Sequence, residues 1–207
     1  FANLDEQQLG VLARAIVRKN VGRNAKVIGA GDPTDSLYIV INGRLKVLMS
    51  DEQGREVILS ILGPGEFFGE MGLLDDSPRS ASVVTLEACE LLTISKTEFK
   101  RSLAENADLS LMVMRGLVKR LREADRKIGS LALMDVYGRV ARLLLEMAED
   151  FDGEKVVVKK LSKQDIAKMI GASREMVSRV MRDLQLGGYI EVRGRSIVLR
   201  DNILLAE

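Results

Sequence analysis

The chain has 207 residues, 46% of them hydrophobic, and a formal net charge of +1. No apolar run approaches the ~20 residues that cross a bilayer, and the first residues do not resemble a cleavable signal segment, so a soluble cytoplasmic protein with two modest cores is expected. A count of zero histidines removes the usual general base and the usual zinc and haem ligand, which argues against an ordinary hydrolase, and the single Cys89 cannot form an internal disulfide.

Residues 4–19 place Leu4, Leu9, Leu12, Ala13 and Ile16 on roughly one face, which predicts an N-terminal helix. From 25–95 the chain turns to short β-branched runs (KVI, SLYIVI, RLKVLM, EVILSIL, SASVVTL, ELLTI) divided by turn residues, as in an all-β sandwich or roll. Asn42-Gly43, between IVI and RLKVL, predicts a hairpin with a type I′ turn, which needs positive φ at both central positions. Cys89, in the alternating LEACELLTI, reads as a small core hydrophobe.

The stretch GPGEFFGEMGLLDDSPRSASV, 63–83, crowds glycines around Phe67 and Phe68, and sets Arg79 and Ser80 nine and ten residues after Glu70. Two readings are open: a loop closed by a Glu70–Arg79 ion pair, or a pocket for a phosphate and a hydroxyl. In the second, the Arg79 guanidinium, the Ser80 hydroxyl and backbone amides from Gly69 to Met71 form an anion site. Glu70 can only accept, so it selects a sugar hydroxyl.

Helical spacing resumes at Lys96 and dominates 108–133, where Leu111, Met114, Val118, Leu121, Ala124 or Asp125, Ile128 and Ala132 recur at three and four. The stripe fits a dimer seam with charged flanks, or a helix lying on its own β domain. Asp125, near the middle of the seam, calls for a polar partner such as a ligand or a basic side chain. Asp135 is a good N-cap, so 133–135 reads as a hinge, and 150–155 (DFDGEK) as a loop.

Residues 155–200 carry eleven Lys and Arg against four Asp and Glu, the footprint of a polyanion partner. Within them Ser162 starts one helix with Asp165 in a near capping box, Gly171 ends it, and Ser173 caps a second that runs to about Leu186. Ile166, Ala167, Ile170, Val177, Val180, Met181 and Leu184 face inward, giving a helix-turn-helix whose second helix suits a DNA major groove. Arg174, Glu175, Ser178 and Arg179 share its exposed start, with arginines for guanine and a glutamate for the cytosine amino group. YIEVRGRSIVLR then folds back as a small wing with Arg193 and Arg195 at its tip.

With FGEMGLL…SPRSASV and ASREMVSRVMRDL in view, the chain resembles the CRP/FNR family of transcription regulators over nearly its whole length. The resemblance implies an α+β fold: a cyclic-nucleotide-binding antiparallel β-roll at 1–106, a central dimerisation helix at 107–134, and a winged helix-turn-helix domain at 135–207. It implies a homodimer, not an enzyme, that binds a palindromic double-stranded DNA operator and meets RNA polymerase; 150–155, or Lys159 and Lys160, are read either as the polymerase contact or as a solvated turn. Glu70 is then the ribose ligand and Arg79 and Ser80 the phosphate ligands, among Gly69, Met71 and Ala81. Ser162, Ser173, Arg174, Glu175, Ser178, Arg179 and Arg195 become the DNA-facing set. Family members that bind cyclic AMP place a Thr-Ser pair where Ala124 and Asp125 align, so cyclic AMP, cyclic GMP and a cyclic dinucleotide all stay open. The cysteine cluster of the iron–sulfur branch and the histidine of the haem branch are missing, so no metal, haem or iron–sulfur cluster is expected. Two alternatives remain: a regulator that needs no ligand, and a nucleotide-binding module of a system other than transcription.

Overall fold

The computed structural model describes residues 16–158, 161–194 and 196–200. The chain divides into two compact units between Arg120 and Leu121. The first holds strands β1 (Ile16–Val21), β2 (Lys26–Ile28), β3 (Ser36–Asn42), β4 (Leu45–Ser50), β5 (Glu56–Leu62), β6 (Phe67–Phe68), β7 (Ser82–Thr85) and β8 (Cys89–Ser95). They build two antiparallel four-stranded sheets, β1-β8-β3-β6 and β2-β7-β4-β5.

Strand β3 shows how the sequence sets the core. Successive side chains point to opposite faces, and SLYIV is buried on both. Leu37 and Ile39 join a cluster with Phe67, Leu73, Ile94, Phe99 and Val113, while Tyr38 and Val40 join Leu45, Leu62, Phe68, Val83 and Leu91. Helix α1 (Met71–Leu74) follows β6, and α2 (Lys96–Glu105) follows β8, started by the Ser95 hydroxyl, which accepts from the Glu98 amide at 3.3 Å. Helix α3 (Ala107–Leu133) buries Leu109 and Val113 but leaves Leu111, Met114, Val118, Leu121 and Ile128 between 46% and 65% exposed. Its heptad seam is thus separate from the stripe that packs on the chain's own β domain.

In the second unit α4 (Val136–Met147), α5 (Lys163–Ile170) and α6 (Arg174–Leu186) pack with a sheet ordered β11-β12-β10-β9. Its strands are β9 (Glu149–Phe151), β10 (Glu154–Val157), β11 (Ile190–Arg193) and β12 (Ser196–Leu199). Asp135 caps α4 by accepting from the Gly138 amide at 2.8 Å. The core gathers Val140, Leu144, Ile166, Val177, Leu184 and Ile190. Among the described residues no helix is long and apolar enough to cross a membrane, and no group of His, Cys, Asp or Glu is placed to hold a metal ion.

Three local expectations are corrected. Ile16 to Lys19 belong to β1, not to a helix, because they pair in register with Ile94, Thr93, Leu92 and Leu91 of β8; residues 4–15 lie outside the described residues. Asn42-Gly43 does not close a hairpin: β3 and β4 sit in different sheets, and only Gly43 has positive φ, at 86°. The turn there carries the chain between sheets, and a Cβ on Gly43 would lie 2.6 Å from Ala88 O and from the Cys89 thiol, so close approach rather than hairpin twist demands the glycine. A hairpin of that kind lies at 149–157, in place of the loop expected at 150–155; there Asp152 and Gly153 both take positive φ between the paired Phe151 and Glu154.

Candidate functional site

The Gly69–Met71 corner joins β6 to α1, and Arg79 returns across it from the loop before β7. Glu70 is 1% exposed, and its Oε1 accepts from Arg120 Nη1 at 2.5 Å. A second Arg120 nitrogen donates to the Phe67 carbonyl, and the guanidinium lies 4.9 Å from the centre of the Phe67 ring. Oε2 of Glu70 is buried with no hydrogen-bond partner among the described residues. A buried carboxylate oxygen without a donor is costly.

Arg79 is also buried, at 6% exposure, but it does not pair with Glu70. Its Nη1 donates to Gly69 O at 2.7 Å, and its Nη2 donates to Ser36 O at 2.7 Å and reaches Asp35 Oδ1 at 3.4 Å. The backbone of Arg79 is pinned as well, its amide donating to Asp32 O and its carbonyl accepting from the Gly31 amide. The Glu70–Arg79 ion pair expected for a loop that closes on itself is therefore absent, and Arg120 takes that place. Gly69 has φ +84°, and a Cβ there would lie 2.5 Å from Arg79 Nη1 and 3.2 Å from Ser36 O. Ser80 and Met71 are exposed, with the Ser80 hydroxyl 3.8 Å from the Met71 sulfur, and Ala81 is half-buried. The structure thus gathers Gly69, Glu70, Met71, Arg79 and Ser80 at one corner. Asp125 is exposed on the part of α3 that belongs to the second unit.

Sequence reasoning missed Arg120. A buried carboxylate needs a cation, and Arg120, one residue before the seam position Leu121, was a candidate that spacing alone could not join to a partner 50 residues away.

In the second unit the Ser162 hydroxyl accepts from the Asp165 amide at 3.0 Å and meets Asp165 Oδ2 at 2.6 Å, completing the capping box. Gly171 ends α5 in the left-handed region, and the Ser173 hydroxyl accepts from the Met176 amide at 3.1 Å to start α6. Val177, Val180, Met181 and Leu184 are buried, which turns Arg174, Glu175, Met176 and Arg179 outward with Ser178 half-buried. Hydrogen bonds from the first-turn amide and the Ser173 hydroxyl hold the Glu175 carboxyl below its ordinary range, so it is an acceptor at neutral pH. Arg193 is not a free cation at the wing tip: it bonds Glu154 Oε2 and Glu191 Oε1, each at 2.8 Å, and Arg200 bonds the same two carboxylates. Lys159, Lys160 and Arg195 lie outside the described residues.

The cyclic nucleotide-binding domain model matches residues 18–106, and the Crp-like helix-turn-helix domain model matches 138–207. A CRP-like cAMP-activated global transcriptional regulator of Mycobacterium tuberculosis is 31% identical over all of this chain and 94% of its own length. The chain belongs to the CRP/FNR family of transcription regulators. Among other CRP/FNR-family proteins, the cAMP-activated global transcriptional regulator Vfr of Pseudomonas aeruginosa is 34% identical over 88% of each chain. The solved structure of CLP, a c-di-GMP responsive global regulator from Xanthomonas campestris, is 31% identical, with a TM-score of 0.80 over 94% of this chain and 99% of its own. These relatives are transcription regulators, not enzymes. The family fold of a β-roll, a long central helix and a C-terminal helix-turn-helix is the one described above.

Proposed function

We propose that this CRP/FNR-family chain is a cytoplasmic homodimer that binds a palindromic operator under control of a cyclic nucleotide, with 1–106 as sensor, 107–134 as dimerisation helix and 135–207 as DNA-binding domain. The observation that carries the sensor reading is Glu70 Oε2, a buried acceptor left without a donor beside a buried arginine. A ribose hydroxyl donates to that oxygen. The cyclic phosphate draws Arg79 from the Gly69 and Ser36 carbonyls and takes a hydrogen bond from Ser80, exchanging neutral acceptors for a charged one. Because Arg120 holds the other oxygen of Glu70, occupation of the pocket is felt by α3. The exposed seam of α3 supports a dimer in which two copies of α6 address two half-sites one helical turn apart. There Arg174 and Arg179 read guanine and Glu175 reads cytosine, while Ser162 and Ser173 lie beside the phosphates.

The relatives divide on ligand, one named for cAMP and one for c-di-GMP, and Asp125 stands where the resemblance puts the base-facing pair. A carboxylate accepts from both N1 and N2 of guanine but from only the N6 amino group of adenine, which supports a guanine nucleotide. Calorimetry with cyclic AMP, cyclic GMP and cyclic di-GMP, each repeated with Arg79→Ala, tests the proposal. One nucleotide binds the parent and loses most of its affinity in the variant. A protein that binds none of the three, yet selects a specific operator, refutes the ligand-gated reading and leaves a regulator that needs no ligand.

A further inference from the structure

Helix α6 carries one outward residue that the polar chemistry of its face does not use. Met176 is 46% exposed, although the apolar side of the helix is already filled by Val177, Val180, Met181 and Leu184. Its backbone is fixed, because its amide is the one that the Ser173 cap receives. Met176 is thus the third residue of the first turn, on the flank of the outward face, about 60° round the helix from Arg179 and about 40° from the buried Val180. A helical side chain leans toward the N-terminus of its helix, so the thioether projects past the start of α6, the end that enters a groove first.

Among base edges in the major groove the apolar group is the thymine C5-methyl; guanine, adenine and cytosine present acceptors and amino groups. A flexible, polarisable thioether gains nothing from phosphates or amino groups, and it loses water without loss against a methyl. We infer that Met176 reads a thymine methyl in each half-site, beside the base pairs read by Arg179 and Glu175. This specificity contact rests on the recognition-helix reading given above.

The test begins with selection from random duplexes by the full chain, in four pools: no nucleotide, cyclic AMP, cyclic GMP and cyclic di-GMP. Each thymine of the selected half-site is then replaced by deoxyuridine, which removes the methyl and nothing else. One replacement should weaken binding of the parent about fourfold, the effect of burying a single methyl-sized group. Met176→Gln, of similar length but polar, should bind thymine and uracil forms equally while keeping its affinity for random DNA, and Met176→Leu should keep the discrimination. A selected site with an Arg179-dependent guanine but no methyl-sensitive thymine overturns the inference and leaves the recognition helix standing. So does a methyl-sensitive thymine that Met176→Gln still distinguishes. Failure of every pool to enrich a sequence removes the recognition-helix reading, and the inference falls with it.

Discussion

Gly69→Ala isolates a close contact at the Gly69–Met71 corner. Two costs add there. The backbone at φ +84° is one that an L side chain adopts at roughly 1–2 kcal/mol. The new Cβ would also sit 2.5 Å from Arg79 Nη1, so the guanidinium must move off the Gly69 and Ser36 carbonyls, and a hydrogen bond to a charged group is worth about 1.5–3 kcal/mol. The expected loss is about 2.5–5 kcal/mol. Gly65→Ala is the matched control, because Gly65 has the same φ of +84° and nothing within 4 Å of a Cβ. It should lose only the backbone component, about 1–2 kcal/mol. Urea unfolding followed by circular dichroism measures both, and the difference of about 1.5–3 kcal/mol is the Arg79 contribution. In an Arg79→Ala background the nearest atoms to the Cβ are Ser36 O at 3.2 Å and Ile28 Cδ1 at 3.3 Å, so most of the excess cost of Gly69→Ala over Gly65→Ala should disappear. A Gly69→Ala loss within ~0.5 kcal/mol of the control in the parent background would refute the contact.

Leu121→Asp puts a carboxylate in the exposed seam of α3 and should convert a dimer to a monomer in sedimentation; a variant that sediments as a dimer moves the interface elsewhere. Arg179→Ala should cost ~1–3 kcal/mol on specific DNA and relax one base pair per half-site, whereas Arg193→Ala should leave the salt slope unchanged, since Glu154 and Glu191 already neutralise that guanidinium. Competition binding at several salt concentrations separates the two, and a shallower slope for Arg193→Ala would place it on a phosphate. Asp76 is held at about 2 by hydrogen bonds from Lys100 and then Lys96. Its depressed value means that its contribution is complete above the unfolded carboxyl value of about 3.9 and is lost as pH falls toward about 2. Carboxyl NMR should find that midpoint, and Lys100→Met should raise it.

What the sequence made legible was local. The caps at Asp135, Ser162 and Ser173 and the period of 107–133 are relations within a few residues, and the hydrogen bonds fall on the atoms those relations name. What it hid was long-range. Ile16 to Lys19 are a strand because β8 lies beside them, and helical periodicity in 4–19 carries no trace of that pairing. Arg120 and Glu70 meet only once α3 lies along β6, and Arg193 finds Glu154 across the sheet, 39 residues away. The Asn-Gly pair misled because the same dipeptide serves a crossover packed against Cys89. Asp152-Gly153 carried an equally good turn signal, obscured by the acidic residues around it.

The packing of Gly43 on Cys89 makes the chain's only cysteine a built-in timer. The thiol is 4% exposed and lies 3.4 Å from Arg44 O, and burial pushes its pKa up, so little nucleophilic thiolate reaches solvent while the roll is closed. A small thiol reagent can therefore react only when the crossover between the two sheets lifts away. Under native conditions the labelling rate counts those openings directly, without denaturant or an introduced probe. Comparing that rate with and without a bound nucleotide reads how far the ligand stiffens the crossover between the two sheets.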